Sequence, residues 1–402
     1  MCGGVPSIWL CQWRGSSLLN PIMTSAAVAA DGGLADWATN QLAARDRSGA
    51  TVSYCDMAYP ILRNGIRHLF PGYFALVMAT GIVSVAVGSD GAAGLSAALL
   101  VLGIVCYLVL IACYIWRFAS YRPEFMADAT APRTAFSLFT FTAASDVLGS
   151  RLAGGGYYTA SAVLLVVSGA AWLLLSYGVP LILITGHGAG SALMGIEGTW
   201  FLWTVGTQSL AVALASLKPP LAGPLAALAV LLWAVGVMLY LITATLALAG
   251  LLHFPLQPAA LTPAYWVFMG ATAISVLAGA KVLGLPAGPL LTAMHPVVAG
   301  LSVVLWGFGT WLIPLLVGLG VWRHLVRRVP LRYDPVLWSM VFPLGMYCVA
   351  SEALGTALHV NWLVTVGHDG TWVAFAVWAA VFAAMLAFLA GFPRSHLAPG
   401  QR

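Results

Sequence analysis

Two carboxylic acids, Asp146 and Glu352, stand inside long apolar stretches of this chain, and His295 and His359 lie nearer the ends of such stretches. A charge at the centre of hydrocarbon costs about 2.5 to 3.5 kcal/mol on insertion scales, so an acid kept there faces water, finds a partner or carries a proton. Asp146 follows Thr142 by one turn and precedes Arg151 by five residues, which sets it against an aqueous lumen or beside Arg151 at the membrane edge. Glu352 lies about two and a half turns beyond Phe342. Each acid reads equally as a proton or ion coupling residue and as an interfacial acid hydrogen-bonded by nearby hydroxyls. Together the two acids and two histidines form no HExxH, DxxxD or Gly-Ser elbow, so no catalytic residue is assigned and an intramembrane enzyme is disfavoured. Cys2, Cys11, Cys55, Cys106, Cys113 and Cys348 make no CxxC pair and read as small buried hydrophobes. No disulfide, metal or cofactor is expected.

A second class of candidates is neutral. Glycine and small hydroxyl residues recur as Met78-Ala79-Thr80-Gly81-Ile82-Val83-Ser84, Gly206-Thr207-Gln208-Ser209 and Met269-Gly270-Ala271-Thr272-Ala273-Ile274-Ser275, with Thr140, Thr142, Ser145 and Asp146 as a polar counterpart. For any single membrane helix such residues are usually packing seams. Their recurrence in one helix of each successive pair points instead to repeated hairpins around a polar axis. In Phe342-Pro343-Leu344-Gly345-Met346-Tyr347, Pro343 removes a backbone donor at mid-membrane depth and predicts a kink. Phe342 by itself reads as lipid-facing or core-packed.

The elements that must position these residues follow from composition. Hydrophobic residues make up 61% of the chain and charged residues 7%, against roughly 25% charged in ordinary globular chains. Between Arg133 and Arg323 the only formal charges are Asp146, Arg151, Glu197, Lys218 and Lys281. Apolar runs of spanning length predict helices near 70–88, 95–118, 134–152, 157–185, 195–216, 222–252, 262–281, 287–325, 336–358 and 370–391. The runs do not alternate as barrel strands do, so the fold class is an all-α integral membrane bundle of about ten spans.

Arginines 63, 67, 117, 122, 133, 323, 327, 328 and 332 fall on one face of that arrangement, which the positive-inside rule makes cytoplasmic together with both termini. The net charge of +5 is therefore topological, and no nucleic acid partner is expected. The basic connection Arg323 to Arg328 would contact anionic head groups, or raise the potential of an anion vestibule. Residues 1–60 show no apolar run of spanning length and read as a loose cytoplasmic extension, or as sequence ahead of a start at Met57. Residues 61–392 form the ten-helix domain, and 393–402 a cytoplasmic tail. Lysines are confined to 218 and 281 amid abundant arginine, alanine and glycine, which fits a bacterial inner (plasma) membrane.

The runs Phe70-Pro71-Gly72-Tyr73-Phe74-Ala75-Leu76-Val77-Met78-Ala79-Thr80-Gly81, Thr207 to Val212, Tyr265 to Ala271, Gly309-Thr310-Trp311-Leu312-Ile313-Pro314 and Phe342 to Tyr347, in that order, resemble the tellurite-resistance/dicarboxylate transporter family. That family is related to the plant slow anion channels and yeast malate carriers, and the resemblance runs from about Phe70 to Gly391. It implies ten helices as five hairpins, an inner ring of odd helices around a central pore, an outer ring of even helices, and a homotrimer. It also implies that small anions pass through the pore, that Phe342, followed by Pro343, occludes it midway, and that Phe74, Gly81, Thr142, Thr207, Ser275 and Gly345 line it. Asp146 and Glu352 depart from the neutral residues of the family pattern. Acids in a pore wall repel anions unless protonated or paired, which keeps a proton-coupled carrier of C4 dicarboxylates such as malate beside the channel or uniporter. Export conferring tellurite or drug resistance is a third reading, inherited from the family name.

Overall fold

The computed structural model describes residues 62–186, 195–217, 223–253, 257–258 and 260–395. The expected extension at 1–60, Lys218 and the tail from 396 onward lie outside the described residues. Residues 63–385 form one compact unit, and Leu62 and the last turns of the final helix, from 386 to 395, fall outside it.

All regular structure among the described residues is helical. The main helices are α1 (Ala75–Ser89), α2 (Ala93–Ser120), α3 (Phe139–Gly154), α4 (Tyr158–Gly186), α5 (Phe201–Ala215), α6 (Pro224–His253), α7 (Val267–Leu283), α8 (Pro289–Val321), α9 (Trp338–Leu358) and α10 (Asn361–Ser395). A short helix, Arg122–Thr130, lies between α2 and α3. Among the described residues seven helices are long and apolar enough to cross a bilayer by themselves: α2, α4, α6, α7 with its leading turn, α8, α9 and α10. The sequence reading of about ten spans differs here because α1, α3 and α5 have 15 or 16 residues. Such helices rise only about 24 Å, short of the roughly 30 Å hydrocarbon thickness.

Short 3₁₀ turns lead into α3, α5, α7 and α9 at Ala135–Leu138, Gly198–Trp200, Pro263–Trp266 and Pro335–Leu337. An aromatic residue stands at each junction: Phe139, Phe201, Trp266 and Trp338. Phe74 takes the same place before α1. This repeated entrance carries the internal repeat more clearly than the glycine motifs do. The last helix also differs from expectation. It begins at Asn361, two residues after the left-handed His359 (φ +58°), rather than near 370. Polar Asn361, His368 and Asp369 fall within it, and His368 is bonded to Asp90 at the end of α1.

The odd helices pack in a closed cycle, α1 on α3, α3 on α5, α5 on α7, α7 on α9 and α9 back on α1. Helices α2, α4, α6 and α8 each pack on the odd helix that precedes them. Burial sorts accordingly. The most apolar 18-residue stretch of α7 is 83% buried, whereas those of α2, α4 and α8 are about one-fifth buried. Side chains such as Leu174, Ile184 and Leu252 lie outward, over 70% exposed. Apolar surface facing hydrocarbon costs nothing, so what draws membrane helices together is close fit. Gly206 supplies it at the α3–α5 seam, where an added Cβ would stand 2.6 Å from Phe139 Cδ1.

Polar ties then join the two layers. Tryptophan indoles of even helices donate inward: Trp172 Nε1 to Thr207 Oγ1 (2.9 Å), Trp233 Nε1 to the Ser275 carbonyl (3.0 Å), Trp306 Nε1 to Ser351 Oγ (2.8 Å) and Trp378 Nε1 to Thr80 Oγ1 (3.0 Å). Each satisfies a donor that hydrocarbon could not.

Candidate functional site

All five odd helices contribute to one cavity of about 100 Å³ on their common axis. Its polar wall is Asp146 and Ser150 of α3, Ser209 of α5, Ser216 just past the end of α5, and Lys281 of α7. The apolar wall includes Ile82 of α1, Ile274 of α7 and Met346 of α9. The lining residues run from the middle of each odd helix toward its C-terminal end, or lie just past it.

Asp146 is 1% exposed and ties three helices together. Ser168 of α4 donates to its Oδ1, and Ser209 of α5 donates to its Oδ2 at 2.7 Å. A carboxylate taken from water needs such donors. Neighbouring Ser145 meets Tyr107 of α2 at 2.7 Å.

Stepping back one helical turn from a lining residue on each odd helix gives the next axial layer. From Ile82, Val147, Ser209, Ile274 and Met346 that step reaches Met78, Ala143, Val205, Gly270 and Phe342. Met78, Ala143, Val205 and Phe342 are each at most 1% exposed, and Gly270 is buried. The layer is wholly apolar. Phe342 is oriented by its neighbours: Pro343 meets Gly270 of α7, and Gly345 meets Ile82 and Val83 of α1. The face between those two contacts carries Phe342, Met346 and Val349, and the latter two line the cavity. Phe342 therefore lies on the axial face of α9, with small Ala143 in the same layer, while Pro343 takes the space beside Gly270.

The other sequence candidates lie elsewhere. Phe74 packs among Tyr107, Tyr114 and Phe141, with centroid distances of 5.1 to 5.6 Å. Gly81 is the close approach of α1 to α3, where an added Cβ would stand 2.7 Å from Val147 Cγ1. Thr142 is fully buried beside Ala143, and its hydroxyl has no partner among the described residues. Thr207 turns toward α4 to accept from Trp172, and the Ser275 hydroxyl donates to its own helix at Ala271 O (2.7 Å). Lumen exposure was expected of both, but the outer tryptophans take the Thr207 hydroxyl and the Ser275 carbonyl instead. Glu352 lies off the axial face against Gly367 of α10. His295 borders a separate crevice beside α6 and α8, and His359 caps α9.

Sequence reasoning named neither Lys281 nor Ser150 and Ser216 as site residues. Stepping four residues from Asp146 reaches Ser150, and stepping seven from Ser209 reaches Ser216, so helical periodicity held the signal.

At the N-terminal ends of the odd helices three connections are tied together. Arg133 pairs with Glu197 at 3.3 Å, Thr199 Oγ1 donates to Arg133 O at 2.9 Å, and Trp200 Nε1 donates to Pro132 O at 2.8 Å. Gly198 abuts the Ala264 carbonyl, where any Cβ would clash at 2.1 Å. Burial raises the Glu197 carboxyl above its ordinary value, and Arg133 partly offsets that.

Comparison with known proteins gives a match of residues 68–386 to the model of the voltage-dependent anion channel family. An uncharacterised membrane protein of Mycobacterium tuberculosis is 53% identical over 152 residues, covering 38% of this chain and 77% of that protein. An uncharacterised transporter of Methanocaldococcus jannaschii is 24% identical over 349 residues, 81% of this chain and 93% of that protein.

Proposed function

This chain belongs to the voltage-dependent anion channel family, and on that premise we propose that it passes small anions along the axis of its odd helices, with Phe342 closing the path. The observation that carries this reading is the sequence of two layers on one axis: a partly polar cavity bounded by all five odd helices, then an apolar layer holding Phe342. An anion crossing the layer would lose its hydration with no polar side chain in return, so a narrow apolar constriction closes by dewetting as well as by bulk. Pro343 and Gly345 hold the α9 backbone against its neighbours, so Phe342 opens by a rotamer change or by movement of α9.

The short odd helices span as hairpin partners of the longer even ones, which makes the fold ten spans in five hairpins. Arginines cluster at the N-terminal ends of the odd helices. The positive-inside rule then sets those ends and both termini in the cytoplasm of a plasma-membrane protein, and the axial cavity toward the opposite side. A homotrimer is the expected assembly.

A bilayer carrying purified protein under a nitrate or chloride gradient tests the path. Phe342→Ala conducts strongly, with a reversal potential set by the anion, and the wild type conducts little. Two silent proteins would sink the channel reading. Asp146 in the cavity wall favours one second reading, a proton-linked carrier of C4 dicarboxylates. That carrier accumulates malate in liposomes under an inward proton gradient and loses the gradient dependence in Asp146→Asn, while Glu352→Gln retains it.

A further inference from the structure

The polar groups of the axial cavity are sorted by type. Lys281 is in the cavity wall and its ammonium can only donate, whereas ionised Asp146 can only accept. Ser150, one turn beyond Asp146, has a buried hydroxyl with no partner among the described residues. The Ser216 hydroxyl already donates to Val212 O at 2.7 Å, which leaves its lone pairs for a ligand. Each Asp146 oxygen accepts one serine hydroxyl and keeps acceptor capacity toward the cavity.

These groups discriminate between kinds of anion. A halide or nitrate offers acceptors alone, so it suits Lys281 and the Ser150 hydroxyl but sets its charge against Asp146. An oxyanion that has kept a proton suits both ends, with anionic oxygens toward Lys281 and Ser150 and its O–H donated to Asp146. A cavity of about 100 Å³ equals the liquid volume of roughly three waters, room for four or five heavy atoms.

We propose that the axial cavity is a docking site for small oxyanions that retain a proton, selected over proton-free anions of the same shape by Asp146 acting together with Lys281 and Ser150. This rests on the reading of the axis as the anion path, and it reverses the order that dehydration cost alone would set, in which weakly hydrated nitrate leads.

Bicarbonate and nitrate are the test pair, because both are planar, singly charged and built on three oxygens, and they differ by one O–H. The full-length Phe342→Ala protein is placed in a bilayer at pH 8, chloride carries the current, and each anion is titrated in as a competitor. Bicarbonate should compete at a concentration about tenfold lower than nitrate, the scale of one hydrogen bond to a charged group. Lys281→Gln weakens both competitors alike, and Asp146→Asn reduces the preference to about twofold or less. Nitrate competing as well as bicarbonate would overturn the proposal and leave the path standing.

A second readout needs no conduction and no change at Asp146. Wild-type protein in detergent at pH 8 should unfold at a higher temperature in sodium bicarbonate than in sodium nitrate of equal ionic strength. Ser150→Ala and Lys281→Gln should shrink that difference. Equal shifts in wild type and both variants would overturn the docking site whether or not Phe342→Ala conducts.

Discussion

Gly270 of α7 lies directly under the ring of Pro343 of α9, so closely that a Cβ on Gly270 would stand 2.6 Å from Pro343 Cγ. The residue after Phe342 is thus seated on a position with no side chain. Gly270→Ala must push α9 outward or rotate it, and overpacking of this kind costs about 1 to 3 kcal/mol. The variant should melt several degrees below wild type in detergent and show raised basal anion current, because Phe342 moves with Pro343. Gly300→Ala on α8 is the control. No atom lies within 4 Å of its added Cβ, and its melting temperature should not fall.

Asp146 and its serines should behave as one unit. Ser209→Ala removes the donor to Oδ2 and leaves a buried carboxylate under-satisfied, at a cost of about 1 to 3 kcal/mol. In an Asp146→Asn background the same change should cost much less, since an amide tolerates the missing donor better than a charge does. Unfolding of the two single variants and the double variant should yield a coupling of about 0.5 to 3 kcal/mol. Strict additivity would show that the serine contributes packing alone.

Glu197 sets a pH dependence at the opposite end of the odd helices. Burial raises its folded value above the ordinary 4.5, with Arg133 opposing. Below 4.5 the carboxyl is protonated both folded and unfolded, and it imposes no penalty. As pH rises past 4.5 the unfolded chain releases its proton first, so stability falls until the folded value has been passed. The melting temperature of Glu197→Gln minus that of wild type should therefore widen across this window and then level off. Arg133→Gln should widen it further, because the arginine is what limits the penalty.

The sequence made the helices legible because hydrocarbon permits few alternatives. Runs that lack charge for twenty residues have no other stable reading. It also made Phe342 and Asp146 visible as candidates, the first through the motif around Pro343 and the second as an acid in an apolar run. Which way the hydroxyls face was less legible. Thr207 and Ser275 share the composition of lumen residues, yet the tryptophans that claim the Thr207 hydroxyl and the Ser275 carbonyl lie 35 and 42 residues away. Lys281 was hidden for a different reason, since a lysine near a helix end reads first as a topology signal. The start of α10 was misplaced because the partner of His368 is Asp90, on a connection 278 residues distant.

The apolar layer offers a stricter test of closure than removal of its aromatic ring. If Phe342 closes the axis by filling the space that small Ala143 leaves in its layer, then the residue that does the filling should be exchangeable. Phe342→Ala empties that volume, and Ala143, on α3 in the same layer, has room to supply some of it from the opposite side of the ring. Ala143→Leu alone should destabilise by about 1 to 3 kcal/mol, because the phenyl ring already occupies the space the new side chain needs. Combined with Phe342→Ala it should regain part of that stability and lower the open current about tenfold, since a constriction refilled with hydrocarbon dewets again whichever helix provides the carbon. A double variant that conducts as freely as Phe342→Ala would mean that closure depends on the position or motion of α9 itself, and the volume argument for the gate would fail.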